Sequence, residues 1–218
     1  MPFKAVIFDL DGTLLDTLQD LANSCNCVLK NMGFPTHPVD AYRYFVGEGA
    51  RMCVMRALPA ESRDVVTIDT CLQMFRDDYA QNWNIYTKPY KGIPEMLNAL
   101  SELDLKMAIL SNKPQEDTEK CVRKFLSNWK FEVIFGQKDS VPKKPDPTAA
   151  LEISRLLGVL PEEFLFIGDT SIDMETATAA GMVPFGVLWG FRSIDVLNKS
   201  GAQATIKSAT DILSLVKC

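Results

Sequence analysis

Five short apolar runs, at residues 5–8, 105–110, 131–135, 164–167 and 183–188, limit most strongly how this chain can fold. Each has the length of a strand, and most are apolar at both alternating positions, the pattern of strands covered on two faces. Between them the apolar residues take helical spacing: Ile93, Met96, Leu97, Leu100 and Leu103; then Cys121, Val122, Phe125 and Leu126; then Leu151, Ile153, Leu156 and Leu157. Strand alternating with helix predicts an α/β fold built on a doubly wound parallel sheet. Asp146-Pro147 reads as an N-cap with proline in the first turn, Gly158 follows the last periodic residue of that helix, and Gly181 closes another in the same way.

One stretch breaks the alternation. From 16 to 86 the pattern is helical throughout, with runs at 14–32, 41–45, 50–58 and 65–83 and no convincing strand. At 218 residues the chain exceeds the roughly 150 of a typical single domain, so a helical insertion is expected here. Gly33, Pro35, Pro38 and Pro59 punctuate it, and Thr87-Lys88-Pro89 reads as the return hinge. The expected division is a sheet domain of 1–15 and 87–218 and a helical domain of 16–86.

Composition excludes several function classes. A net charge of −5 argues against a general binder of nucleic acid or acidic membranes, which needs a basic face. No uninterrupted apolar stretch approaches the roughly 18 residues that span a bilayer, and the acid at Asp9 comes too early for a secretory leader; a cytoplasmic protein is expected, as a monomer or small homo-oligomer. Six cysteines (Cys25, Cys27, Cys53, Cys71, Cys121 and Cys218) lack paired spacing, and with His37 as the lone histidine they read as reduced thiols rather than a zinc site.

The polar residues that follow the apolar runs carry the chemistry. Residues 5–8 lead into Asp9-Leu10-Asp11-Gly12-Thr13, 107–110 into Ser111-Asn112-Lys113, and 164–167 into Gly168-Asp169-Thr170 with Asp173 beyond. In an open parallel sheet the carboxyl ends of the strands share one edge, where ligands bind. Asp9, Asp11, Asp169 and Asp173 would gather there, a density of negative charge that calls for a cation. All-oxygen ligation with few protein ligands suits Mg2+. Ser111, Asn112 and a lysine from Lys143-Lys144 would then donate to phosphoryl oxygens, so phosphoryl transfer fits better than acyl transfer.

Asp9-Leu10-Asp11-Gly12-Thr13-Leu14-Leu15-Asp16 resembles the first motif of haloacid dehalogenase (HAD) superfamily phosphatases, Ser111-Asn112 the second, Lys144-Pro145 the third and Gly168-Asp169-Thr170-Ser171-Ile172-Asp173 the fourth. The resemblance implies a Rossmann-like core with a helical cap inserted after the first motif. It also implies Asp9 as nucleophile, Asp11 as general acid and base, and Ser111 and Lys144 as holders of the phosphoryl group. Mg2+ would be held by Asp9, by Asp11 through its backbone carbonyl and by Asp169, with Asp173 orienting a coordinated water. Gly12, Thr13 and Asn112 would face the substrate.

In the inserted segment, Phe45-Val46-Gly47-Glu48-Gly49-Ala50 resembles the cap loop of phosphoglycolate phosphatases, and the segment from Gly186 to Arg192 resembles theirs after the fourth motif. Gly47, Glu48 and Gly49 are therefore expected to contact a small phosphorylated metabolite, with 2-phosphoglycolate first among them. Pyrophosphate hydrolysis and transfer to a sugar acceptor, as in a mutase, are alternatives within the same superfamily. A phosphorylation-controlled switch module is the alternative from another class, since it also sets acids, a hydroxyl and a lysine along a sheet edge. Other residues have structural readings beside functional ones: Asp16 as a helix cap, Thr170 and Ser171 as helix entry or as ligands, Lys113 as an exposed lysine beginning the next helix or as a group reaching the phosphate edge, and the three tryptophans as packing.

Overall fold

The computed structural model describes residues 3–103 and 105–216. Cys218, one of the six cysteines, lies outside them; Cys25, Cys27, Cys53, Cys71 and Cys121 are free thiols. The chain divides into two compact units, one made of Met1–Leu15 with Pro89–Cys218 and the other of Asp16–Lys88. In chain order the strands are β1 Ala5–Phe8, β2 Leu15–Asp16, β3 Lys88–Pro89, β4 Lys106–Pro114, β5 Val133–Gln137, β6 Phe164–Gly168, β7 Val183–Val187 and β8 Ala204–Ile206. The helices are α1 Leu18–Asn31, α2 Tyr42–Phe45, α3 Ala50–Ala57, α4 Val65–Asn82, α5 Ile93–Ser101, α6 Gln115–Phe125, α7 Thr148–Leu157, α8 Ser171–Ala179, α9 Ile194–Lys199 and α10 Ile212–Val216.

Six strands form a sheet in the order β5-β4-β1-β6-β7-β8, and every pairing in it is parallel. This is the α/β architecture that the alternating pattern predicts. Because side chains alternate across a strand, Ala5 and Ile7 join Ala108, Leu110, Phe164 and Phe166 in one core layer, where Ala149, Ala150, Ile153 and Leu157 of α7 pack. Val6, Phe8, Ile109, Leu165 and Ile167 point to the opposite face and are equally buried. That double burial is why these runs lack polar alternation.

Several boundaries differ from the sequence reading. β4 does not stop before its polar residues but runs through Ser111, Asn112 and Lys113 to Pro114, with a register shift between Leu110 and Pro114. Helix α7 starts at Thr148, one residue later than expected; Pro147 stands at the cap position and Asp146 accepts from the Thr148 N–H at 2.9 Å. Asp16 caps no helix, because it lies in β2 and Thr17 is the residue that precedes α1. Gly158 does end α7, in the left-handed conformation.

The regular structure of the Asp16–Lys88 unit is helical apart from one residue at each end, Asp16 in β2 and Lys88 in β3, strands that pair as a two-stranded sheet. Its helix α4 buries Ile68, Cys71, Leu72, Phe75 and Tyr79, three and four residues apart, so a single stripe supplies the core contact. One acid is buried in this unit: Asp20, which accepts from the Tyr86 N–H at 3.0 Å, the Thr87 N–H at 2.8 Å and the Thr87 hydroxyl at 2.7 Å. His37 donates from Nε2 to the Ala57 carbonyl at 2.8 Å and meets Tyr42 and Phe45 edge to face, a packing role. Among the described residues no helix is long and apolar enough to cross a membrane.

Candidate active site

Register alone assembles the first half of the site. Phe8 pairs with Ile109 on one side and Ile167 on the other, so the chain segments leaving β1, β4 and β6 emerge side by side. Asp9 follows Phe8 directly and donates its N–H to the Ile167 carbonyl at 2.9 Å; Asp169 stands two residues beyond Ile167. Asp173 arrives on the first turn of α8. There Thr170 is the N-cap, and its N–H and hydroxyl both donate to Asp173 Oδ2, at 3.0 and 2.7 Å. The reading of Thr170 as helix entry thus holds, while Asp173, which could have sat on a solvated helix face, is only 1% exposed.

Asp9, Asp169 and Asp173 offer carboxylate oxygens that lie within 4.8 Å of one another, and all three residues are buried. Lys144 is the cation among them. Its ammonium donates to Asp9 Oδ1 at 2.8 Å, to Asp173 Oδ1 at 2.6 Å and to the Leu110 carbonyl at 2.9 Å. The neighbouring Lys143 is exposed, so the structure separates two lysines that the sequence left in competition. Asn112 accounts for the position of Lys144: its amide oxygen accepts from the Lys144 N–H at 2.9 Å and its amide nitrogen donates to the Lys144 carbonyl at 3.0 Å. Asn112, expected to donate to a phosphoryl oxygen, uses both ends of its amide on this backbone.

Asp169 is held more tightly than any motif reading foresaw. Its Oδ1 accepts from the Thr13 hydroxyl at 3.0 Å and its Oδ2 from the Phe191 N–H at 2.8 Å. A Cβ at Gly12 would stand 2.3 Å from Asp169 Oδ2, and one at Gly190 would stand 2.2 Å from Asp169 Cβ, so both positions exclude any side chain. Gly12 and Thr13, expected to face the substrate, thus enclose and orient a carboxylate. Trp189 ties the same segment down by donating from its indole to the Thr13 carbonyl at 3.0 Å. Sequence reasoning did not place residues 189–191 in the site. The signal for them is the resemblance of the segment from Gly186 to Arg192, which gives no role to any one residue.

Three ionised carboxylates facing one ammonium leave two negative charges uncompensated in a buried space. Burial raises the Asp9 pKa from 3.8 to about 7; Lys144 opposes the rise, and Asp173 and Asp11 reinforce it. Asp169 is pushed well above the ordinary carboxylate range, first by burial and then by Asp9 and Asp173. For Lys144 burial disfavours the charge, but the two carboxylates outweigh it and hold the ammonium above the usual lysine value. The donor set is all oxygen, compact and doubly negative. A hard divalent cation fits it, because such an ion relieves the repulsion that otherwise forces protons onto Asp9 and Asp169.

Asp11 stands apart from the three. Its carboxylate is spanned by Lys113, whose ammonium lies 3.3 Å from Oδ1 and 3.2 Å from Oδ2. Lys113 is 7% exposed and belongs to β4, so of its two readings the exposed lysine beginning a helix falls and the one at the phosphate edge stands. Ser111, 4% exposed, accepts the Lys113 N–H on its hydroxyl oxygen at 3.3 Å. Gly47, Glu48 and Gly49 belong to the other unit, where they form the turn into α3 and Glu48 pairs with Arg56.

Residues 6–187 match the family model of haloacid dehalogenase-like hydrolases. A phosphoglycolate phosphatase of Aquifex aeolicus is 32% identical over 213 residues, covering 98% of this chain and 96% of that protein. One from Pseudomonas putida is 36% identical over 208 residues, covering 90% and 75%. The solved structure of a proposed phosphoglycolate phosphatase from Lactobacillus delbrueckii subsp. bulgaricus is 30% identical, covers 99% of each chain and superposes with a TM-score of 0.94.

Proposed function

The chain belongs to the haloacid dehalogenase-like hydrolases, as a phosphoglycolate phosphatase-like phosphoric monoester hydrolase, and from that premise we propose that it hydrolyses 2-phosphoglycolate with Mg2+ through a phosphorylated Asp9. The observation that carries the mechanistic part is the buried cluster of Asp9, Asp169 and Asp173 around Lys144. A site this negative binds a phosphate ester only once a cation and Lys144 offset its charge.

In the proposed reaction an Asp9 oxygen forms a bond to phosphorus as the bond to the leaving oxygen breaks, and Asp11 gives that oxygen a proton. Asp11 then takes a proton from water, whose oxygen attacks phosphorus; the Asp9 carboxylate and inorganic phosphate separate. Ser111 and Lys144 hold the equatorial phosphoryl oxygens, over which charge spreads in the transition state. Asp9, Asp169 and the backbone carbonyl of Asp11 would hold Mg2+, with Asp173 beside them, and the ion when bound supplies charge neutralisation to the phosphoryl group. Thr13, Gly12, Gly190 and the Phe191 N–H keep Asp169 aimed. The helical unit takes the cap's role, selecting the leaving group with Gly47, Glu48 and Gly49.

The test incubates the purified protein with Mg2+ and, separately, 2-phosphoglycolate, a sugar phosphate and pyrophosphate, reading inorganic phosphate. Release is expected fastest from 2-phosphoglycolate, to stop on addition of a chelator, and to return with excess Mg2+. Phosphate release undiminished by chelation sinks the metal assignment, and faster turnover of another ester sinks the substrate assignment. Retention of the phosphate on an acceptor product points to a mutase instead.

A further inference from the structure

The site holds two buried lysines, and the reaction as described employs only Lys144. We propose that Lys113 selects a leaving group that carries its own carboxylate, an inference that rests on the phosphatase reading and names the feature of the substrate this side chain recognises. The ammonium of Lys113 spans both oxygens of Asp11, 3.3 and 3.2 Å away, on a side chain only 5% exposed, while the Asp11 side chain stays 19% exposed. The two cations therefore divide the site. Lys144 faces the carboxylates Asp9 and Asp173, where the phosphoryl group is received, and Lys113 faces the acid that serves the leaving group.

A chain of distances connects Lys113 to the substrate. A leaving oxygen that receives a proton from Asp11 lies within roughly 3 Å of one of its carboxylate oxygens. Lys113 Nζ lies 3.2 Å from the same carboxylate. The leaving oxygen and the ammonium are then no more than about 6 Å apart. In a glycolate leaving group the carboxylate is joined to that oxygen through a single carbon, so its oxygens extend about 3 Å further. The remaining gap is roughly 3 Å, the length of a charge-assisted hydrogen bond.

The resting contact also explains why selection results. The leaving oxygen must reach one of the two Asp11 oxygens that the ammonium spans, so it enters the space beside that cation. A carboxylate on the substrate offers the buried cation a charged partner as the leaving oxygen takes up Asp11; an uncharged leaving group offers none.

The test compares kcat/KM for 2-phosphoglycolate with that for ethyl phosphate, whose leaving group has two carbons but no carboxylate, in the wild type, Lys113→Met and Lys113→Arg. The wild type is expected to prefer 2-phosphoglycolate strongly, Lys113→Met to reduce that preference by about 30-fold, and Lys113→Arg to recover part of it. Lys113→Gln provides the same comparison where the methionine variant does not fold. A preference that survives unchanged in the methionine or glutamine variant, even with both rates lowered, overturns the proposal and leaves Lys113 as a brace for Asp11. A wild type that hydrolyses both esters equally overturns it while leaving the phosphatase reading intact. Release of phosphate from neither ester overturns both.

Discussion

Each unit of this molecule buries acid, and the two do so in opposite ways. In the helical unit, Asp20 is 1% exposed and meets only neutral donors, two backbone N–H groups and the Thr87 hydroxyl. At the sheet edge, Asp9, Asp169 and Asp173 are just as inaccessible but face one another, with one ammonium among them. Buried acid is therefore not in itself the mark of a functional site. A carboxylate whose lone pairs are filled by fixed donors holds chain segments together, whereas carboxylates that share a pocket with too little positive charge hold a place for something else.

The largest effect that follows is on turnover. Asp9→Asn removes the oxygen proposed to accept phosphorus and is expected to lower kcat by at least about 10³-fold, with the fold retained by circular dichroism. The side chain is nearly isosteric and its amide oxygen can still accept from Lys144, so the loss is chemical rather than structural. Near-normal turnover in this variant breaks the contrast at its centre.

The next effect concerns protons. Burial and then like charge raise Asp9 to about 7 against the offset of Lys144, and the same physics pushes Asp169 well above the ordinary carboxylate range. Without metal, the folded state therefore keeps a proton that the unfolded chain, with an aspartate near 3.8, has released. This contribution to stability is fully present below pH 3.8 and is lost as pH rises through about 7. On the proposed metal assignment Mg2+ displaces those protons, so its affinity is expected to rise about tenfold per pH unit up to neutrality for each proton released. Titration calorimetry in buffers of different ionisation enthalpy counts them, and a count of zero contradicts the picture of like charges sharing a site.

The same contrast separates what could be read in the residues from what could not. Apolar runs with an acid at the end mark strands of a parallel sheet, because only a strand covered on two faces lacks polar alternation; β1 was legible to the residue. The gathering of Asp9 with Asp169 and Asp173 follows from strand order and register, which makes it a property of the fold that the sequence pattern already implies. Partners formed by loops were not legible. Phe191 reaches Asp169 with its backbone N–H, a group every residue but proline owns, so its identity carries no signal. The residues leave Lys113 with two readings, at the phosphate edge or exposed on the next helix, because a strand that turns polar as it enters a site resembles a strand that has ended; β4 continues past its apolar stretch. β8, at the sheet edge and three residues long, offered too short a pattern to detect.

Asp20 supplies the smallest and most discriminating prediction. Asp20→Ala leaves the N–H groups of Tyr86 and Thr87 without their acceptor, in a place where Thr87 is only 6% exposed, while the Thr87 hydroxyl keeps the Trp83 carbonyl at 3.0 Å. The expected cost is roughly 2–4 kcal/mol of stability, read from denaturant unfolding of the metal-free protein. Asp20→Asn should cost less, since one amide oxygen still accepts. Magnesium affinity and its pH dependence should be unchanged in both variants, because Asp20 shares its donors with no other carboxylate. The opposite pattern is expected of Asp169→Asn, which relieves repulsion in the metal-free state and so weakens metal binding with little loss of stability. An Asp20 variant that altered proton release on metal binding would show that the two kinds of buried acid are coupled, and the distinction between holding the chain together and holding a charge would no longer stand.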